Sequence, residues 1–144
     1  MKKILLSAMV MAMMACGTAF AGATGNAFSM EEDIAINVIR NMVGGSRANA
    51  IVHFLPDMAE KYTEEAHKQS AANIAKEFGS LSNLSLVQAT RNYDASGKAQ
   101  SDGMLFLANG STGKTVAINI LFIPQGKQSK VAAVGFRPVE IRRQ

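Results

Sequence analysis

Between Gly103 and Pro138 three runs of alternating side chains follow one another, separated only by short turns, and they leave the rest of the chain little choice. Met104, Phe106 and Ala108 alternate with Leu105 and Leu107. Val116, Ile118, Ile120 and Phe122 alternate with Ala117, Asn119, Leu121 and Ile123. Val131, Ala133 and Gly135 alternate with Ala132, Val134 and Phe136. Successive strand residues point to opposite faces of a sheet, so each run predicts a strand. Asn109-Gly110-Ser111-Thr112-Gly113 and Gln125-Gly126-Lys127-Gln128 supply the turn-forming residues of tight returns. Pro124 and Pro138 close strands where a missing N–H does least harm. Neither face of the middle run is plainly polar, which predicts that both faces are at least partly covered. An earlier strand is predicted from about Asn83 to Tyr93, with Leu84, Leu86, Gln88 and Thr90 on one face, ended by Asp94-Ala95-Ser96-Gly97. Four strands in a row predict an antiparallel meander.

The chain before the sheet carries helical spacing. Ser29 and Glu32 read as a capping box. Ile34, Val38 and Met42, flanked by Ala35 and Ile39, form a stripe that Gly44-Gly45 ends. Ser46 caps a second helix through Leu55, which Pro56 ends or redirects, and Asp57–Tyr62 is expected as a turn. A third helix begins at Thr63, places Glu64 and Glu65 in its first turn, buries Ala71, Ile74, Ala75 and Phe78, and stops at Gly79. Helices first and strands after them predict an α+β fold.

Residues 1–21 have the form of a secretory signal peptide. Lys2 and Lys3 precede an uncharged apolar core, and Ala19-Phe20-Ala21 is a small-x-small cleavage site. The apolar run is shorter than the roughly 20 residues a bilayer span needs. Residues 22–28 are expected as a flexible leader and 29–144 as one domain. Of 144 residues, 123 follow the leader, enough to bury a core without staples. Thirteen basic against eleven acidic residues remain, a balance of +2 that implies no nucleic-acid partner. The expected destination is the periplasm or the exterior. The alternative rests on Cys16, the only cysteine: Met13-Met14-Ala15-Cys16 is similar to a lipobox, and lipidation there would anchor the chain to a membrane. With one cysteine, no disulfide forms within a subunit.

The stretches Ile51–Met58 and Ile74–Leu81, followed by strands that end in Gly135-Phe136-Arg137-Pro138, resemble a small bacterial family of exported domains in the nuclear-transport-factor-2-like, cystatin-like superfamily. The resemblance covers Glu31 to Pro138. It implies N-terminal helices packed on a curved four-stranded antiparallel sheet, often with a pocket between the layers. It implies no catalytic residues.

Few motifs carry chemistry. Ala108–Thr115 (ANGSTGKT) fits a relaxed phosphate-binding loop, but such a loop must open a helix, and Val116–Ile123 reads as a strand. A hairpin turn is expected instead. His53 and Asp57, four residues apart, would pair as base and orienting carboxylate on a continuous helix, but Pro56 interrupts them. His67 is expected on the solvated surface. Two isolated histidines make no metal site, and no cofactor is expected. Arg137, Arg142 and Arg143 are expected in a solvated basic tail. Asn119, polar in the most apolar strand, lines a pocket or bonds to a helix. The expected function is non-catalytic binding of a small apolar ligand, a peptide or an envelope protein, in a cavity lined by Met42, Phe54, Phe78, Asn119 and Phe122. The alternatives are an enzyme using His53 and Asp57, and a module that homodimerises through its sheet.

Overall fold

The computed structural model describes residues 17 to 140, with side chains from Phe28 onward. Most of the expected leader, including Cys16, and Arg142 and Arg143 of the tail lie outside the described residues. Among the described residues four helices precede four strands: α1 (Gly17–Gly44), α2 (Arg47–Ile51), α3 (Pro56–Lys61), α4 (Glu64–Phe78), β1 (Leu81–Tyr93), β2 (Ala99–Gly110), β3 (Thr115–Gln125) and β4 (Gln128–Pro138). The sheet is antiparallel throughout, in the order β1-β2-β3-β4, so the α+β meander holds and β1 and β4 are its edges. No helix among the described residues is long and apolar enough to cross a membrane.

α1 does not begin at Ser29. It runs through the segment expected as a leader, and the capping box lies inside it. The buried stripe explains why: Phe28, Glu31, Ala35, Val38 and Met42 succeed one another at steps of three or four, so the apolar face already includes Phe28. The helix does end at Gly44-Gly45, but neither glycine takes a positive φ. Gly45 is needed for close approach, because a Cβ there would lie 2.8 Å from the Asn41 Cα. Ser46 caps α2 as expected, its hydroxyl accepting from the Asn49 N–H. That helix stops at Ile51, and Pro56 opens α3 rather than closing α2, since its missing N–H is harmless in a first turn. Between them the chain crosses β4: the Leu55 N–H donates to Val131 O at 2.9 Å, and the Val131 N–H to His53 O at 2.7 Å. Thr63 caps α4, accepting from the Ala66 N–H at 3.1 Å.

The helices cover one face of the sheet. Met104, Phe106 and Ala108 of β2, Val116, Ile118, Ile120 and Phe122 of β3, and Val131 of β4 meet Ala35, Val38, Ile39, Met42, Phe54, Ile74 and Phe78 in a single core. Each large side chain buried there contributes about 1.5–3 kcal/mol. Two of the expected face assignments fail because the ladder is irregular. A register shift at β4 places Ala132 out of sequence, so Val131 shares the helix-covered face with Val134 and Phe136, not with Ala133 and Gly135. A shift near Val87 turns Gln88 and Thr90 away from the helices while Leu86 faces them.

A part-buried ion pair joins β1 to β2 and touches α1. Arg91 donates twice to Asp102, from Nε and Nη2, each at 2.8 Å, and its guanidinium lies 5.0 Å from the Phe28 ring centroid. The hydrogen bond to Asp102 raises the Arg91 pKa, so the guanidinium stays charged. Nearby, the Ser129 hydroxyl donates to the buried Glu31 carboxylate at 3.1 Å.

Candidate functional site

With the four described helices on one side, the other face of the sheet stays open among the described residues. The register places three rows across it: Thr90, Gly103, Leu121 and Ala133; Gln88, Leu105, Asn119 and Gly135; Ser85, Leu107, Ala117 and Arg137. Leucines therefore stand beside glycines and alanines, giving ridges next to hollows. The centre forms a shallow trough of about 570 Å³, floored by Gly103, Leu105, Leu121 and Ala133. Leu121 is 36% exposed although it sits in the middle of a central strand. Four strands about 4.8 Å apart, over about six residues at 3.3 Å, give this face roughly 400 Å² in plan. Leu105, Leu107 and Leu121 are its apolar ridges, set among Gln88, Thr90 and Asn119, and an exposed apolar group of this kind on a central strand suits an interaction surface. The sequence predicts cover on both faces of β3, and the described residues supply it on one.

A second hollow, about 460 Å³, runs between α4 and the edge strand β4. Met42, Ile74, Phe78, Val134 and Phe136 form its apolar part, and Gln69, Ser70, Asn73 and Glu77 form its polar wall.

The five expected pocket residues separate accordingly. Phe54 and Phe122 are core, 3% and 0% exposed, and line neither hollow. Met42 and Phe78 are core residues that also border the α4–β4 groove. Asn119 lies on the open face, exposed to solvent, so its amide needs no internal partner. Phe122 and Asn119 point to opposite faces of one strand and cannot line one cavity.

Of the two histidines, His67 departs from expectation. His67 is buried, not solvated: it falls on the α4 stripe with Ile74 and Phe78. Its Nε2 lies 3.1 Å from Gly45 O and its Nδ1 3.0 Å from the Tyr62 hydroxyl. A carbonyl only accepts, so Nε2 carries the proton, and in the neutral ring Tyr62 donates to Nδ1. Burial raises the Tyr62 hydroxyl pKa above its usual value. The Arg47 guanidinium donates to the Tyr62 and Ala59 carbonyls, completing a bracket that joins α2, α3 and α4. The bracket holds helices together and opens into neither hollow. His53 is half-buried and Asp57 exposed, and no hydrogen bond among the described residues joins them.

Burial, and then the charge of Lys130, lower the His53 pKa below 6.5. The folded state thus favours the neutral ring. Stability is retained above the unfolded-state pKa of 6.5 and falls as acid charges the unfolded chain first. Thermal unfolding followed from about pH 7.5 to 5 should show that fall, and His53→Gln should flatten its slope. An unchanged slope would remove His53 from the account.

The loop-like motif Asn109–Lys114 is a hairpin turn, as expected, and it has a task the sequence does not announce. It holds the C-terminus of α4. The Thr112 hydroxyl donates to Glu77 O at 3.0 Å, the Thr112 N–H to Phe78 O at 3.2 Å, and the Ser111 N–H to Ser80 O at 2.9 Å. The Ser80 N–H returns a bond to the Ser111 hydroxyl at 3.0 Å. These groups satisfy helix carbonyls, whereas a phosphate loop offers helix N–H groups. No group of three or more metal-ligating side chains occurs among the described residues. Comparisons of the chain with protein-family models, with curated proteins and with solved structures find no match.

Proposed function

We propose that this chain is a non-catalytic association domain that pairs with a second copy of itself through the open face of its sheet. The uncovered apolar face of β2, β3 and β4 carries the proposal. The face is nearly uncharged at its centre, with Arg137 at one margin. Its ridges at Leu105, Leu107 and Leu121 adjoin hollows at Gly103, Ala117, Ala133 and Gly135, which makes it self-complementary. Two such sheets stack about 10 Å apart with strands some 30° from parallel, and their side chains interdigitate. The helices-then-meander order also supports kinship with the nuclear-transport-factor-2-like, cystatin-like superfamily. The leader-like residues 1–21 support export, with the lipid-anchored form at Cys16 as the alternative. The mass of the N-terminus isolated from the cell envelope separates the two.

Leu121→Arg tests the pairing. It places a charge at the centre of the face but leaves the helix-side core intact, so the variant should remain folded. Sedimentation equilibrium should give a dimer for the native chain and a monomer for the variant. A native chain that stays monomeric at high micromolar concentration would end the proposal.

A further inference from the structure

The groove between α4 and β4 has a property the open face lacks: one of its walls is unpaired main chain. Antiparallel neighbours alternate between residues that bond across the pair and residues whose groups point away. The Val139 N–H donates to Thr115 O at 2.9 Å, which fixes the phase. With Arg137 opposite Ala117, Gly135 opposite Asn119 and Ala133 opposite Leu121, those three residues of β4 bond to β3. The N–H and C=O groups of Val134 and Phe136 therefore point off the edge of the sheet. The irregularity at Ala132 reverses the phase, and Val131 points off the same edge. Its groups are already taken by His53 O and the Leu55 N–H, in a parallel bridge one residue long. That short bridge shows how the edge is filled where the chain can reach it. Pro56 then turns the chain away into α3. The next four main-chain groups along the edge have no partner among the described residues.

Beside those four groups lies the groove, with Val134 and Phe136 on one side and Ile74 and Phe78 of α4 on the other. Directly opposed residues of paired strands point to the same face. A strand added to β4 would thus direct the side chains opposite Val134 and Phe136 into this groove. We infer that the α4–β4 groove captures an extended peptide segment of another protein as a fifth strand, about four residues long, with apolar side chains at two positions two apart. Main-chain bonds would supply affinity and the groove would supply selectivity, the division of labour in strand addition. The polar wall of Gln69, Ser70 and Asn73, with the Glu77 carboxylate as its one charge, accepts the flanks of such a segment. A second copy fits less well. Edge-to-edge pairing puts two β4 strands about 4.8 Å apart with an α4 flanking each, whereas packed helices need about 8–10 Å.

The probe is a capped octapeptide of alternating valine and threonine with a lysine at each end, added to the full chain and followed by amide NMR. The Val134 and Phe136 amides should shift and their hydrogen exchange should slow, while those of Leu105 and Leu121 on the open face stay in place. The same peptide N-methylated at alternate residues cannot donate its main-chain bonds and should bind at least about tenfold more weakly. Asn73→Trp, a change on the exposed side of α4 that fills the groove, should weaken the unmodified peptide by a similar factor. Three outcomes overturn the inference: equal binding of the N-methylated peptide, shifts confined to the open face, or no shift at millimolar peptide. Val134 and Phe136 amides already protected in the free protein, in proportion to its concentration, would assign the edge to a second copy and overturn it as well.

Discussion

Replacing Phe78 with alanine is expected to destabilise the fold by about 3–5 kcal/mol. The side chain is 1% exposed and belongs to the one core shared by α1, α4 and the sheet. The loss combines transfer of the ring with the cavity it leaves. Little can collapse into that cavity, because the Phe78 carbonyl is held by the Thr112 N–H and its Cβ sits close to Gly110. The melting temperature should fall by roughly 10–20 °C for a domain of this size. Urea unfolding checks the figure: the midpoint should move while the slope stays constant. A change below about 1 kcal/mol would mean that α4 does not pack as described.

Gly79→Ala should cost roughly 2–4 kcal/mol, through backbone and contact together. Gly79 has φ 70° and ψ −145°, a region almost reserved for glycine, and leaving it there with a side chain costs about 1–3 kcal/mol. An added Cβ would also lie 2.0 Å from the Ser111 Oγ, the atom that accepts the Ser80 N–H. The two terms separate in a double variant. Ser111→Gly removes the obstructing hydroxyl, so Gly79→Ala in that background should retain the backbone term alone. If the substitution costs the same in both backgrounds, the clash contributes nothing.

Much of this fold is legible in the residues. The alternation of Val116, Ile118, Ile120 and Phe122 identifies both the central strand and its buried face. The caps at Ser46 and Thr63 fall where the short polar residues stand. What fails does so for local reasons. Pattern alone does not reveal a bulge, so one extra residue at Ala132 reverses the faces of β4. A stripe continuing upstream to Phe28 outweighs a capping box at Ser29, because packing rather than propensity sets the helix start. His67 is hidden by its own polarity: only the spacing with Ile74 and Phe78 indicates burial, and its partners, Tyr62 and Gly45 O, come from other elements. The open face is visible as a second set of apolar residues on β3. Whether anything covers them depends on where the helices dock, which no strand records.

The hairpin tip that holds the end of α4 bears on how the molecule comes apart. Residues 77–80 and 111–112 are joined across 31 to 35 positions of chain, by four hydrogen bonds that lie outside any ladder. They form a clasp between the helical layer and the sheet. Peeling the helices away from the strands means opening that clasp, and opening it also frees the β2–β3 hairpin tip. Helices and sheet are therefore not expected to melt as two separable units. They are expected to share one cooperative transition, with helix and strand signals lost together on heating.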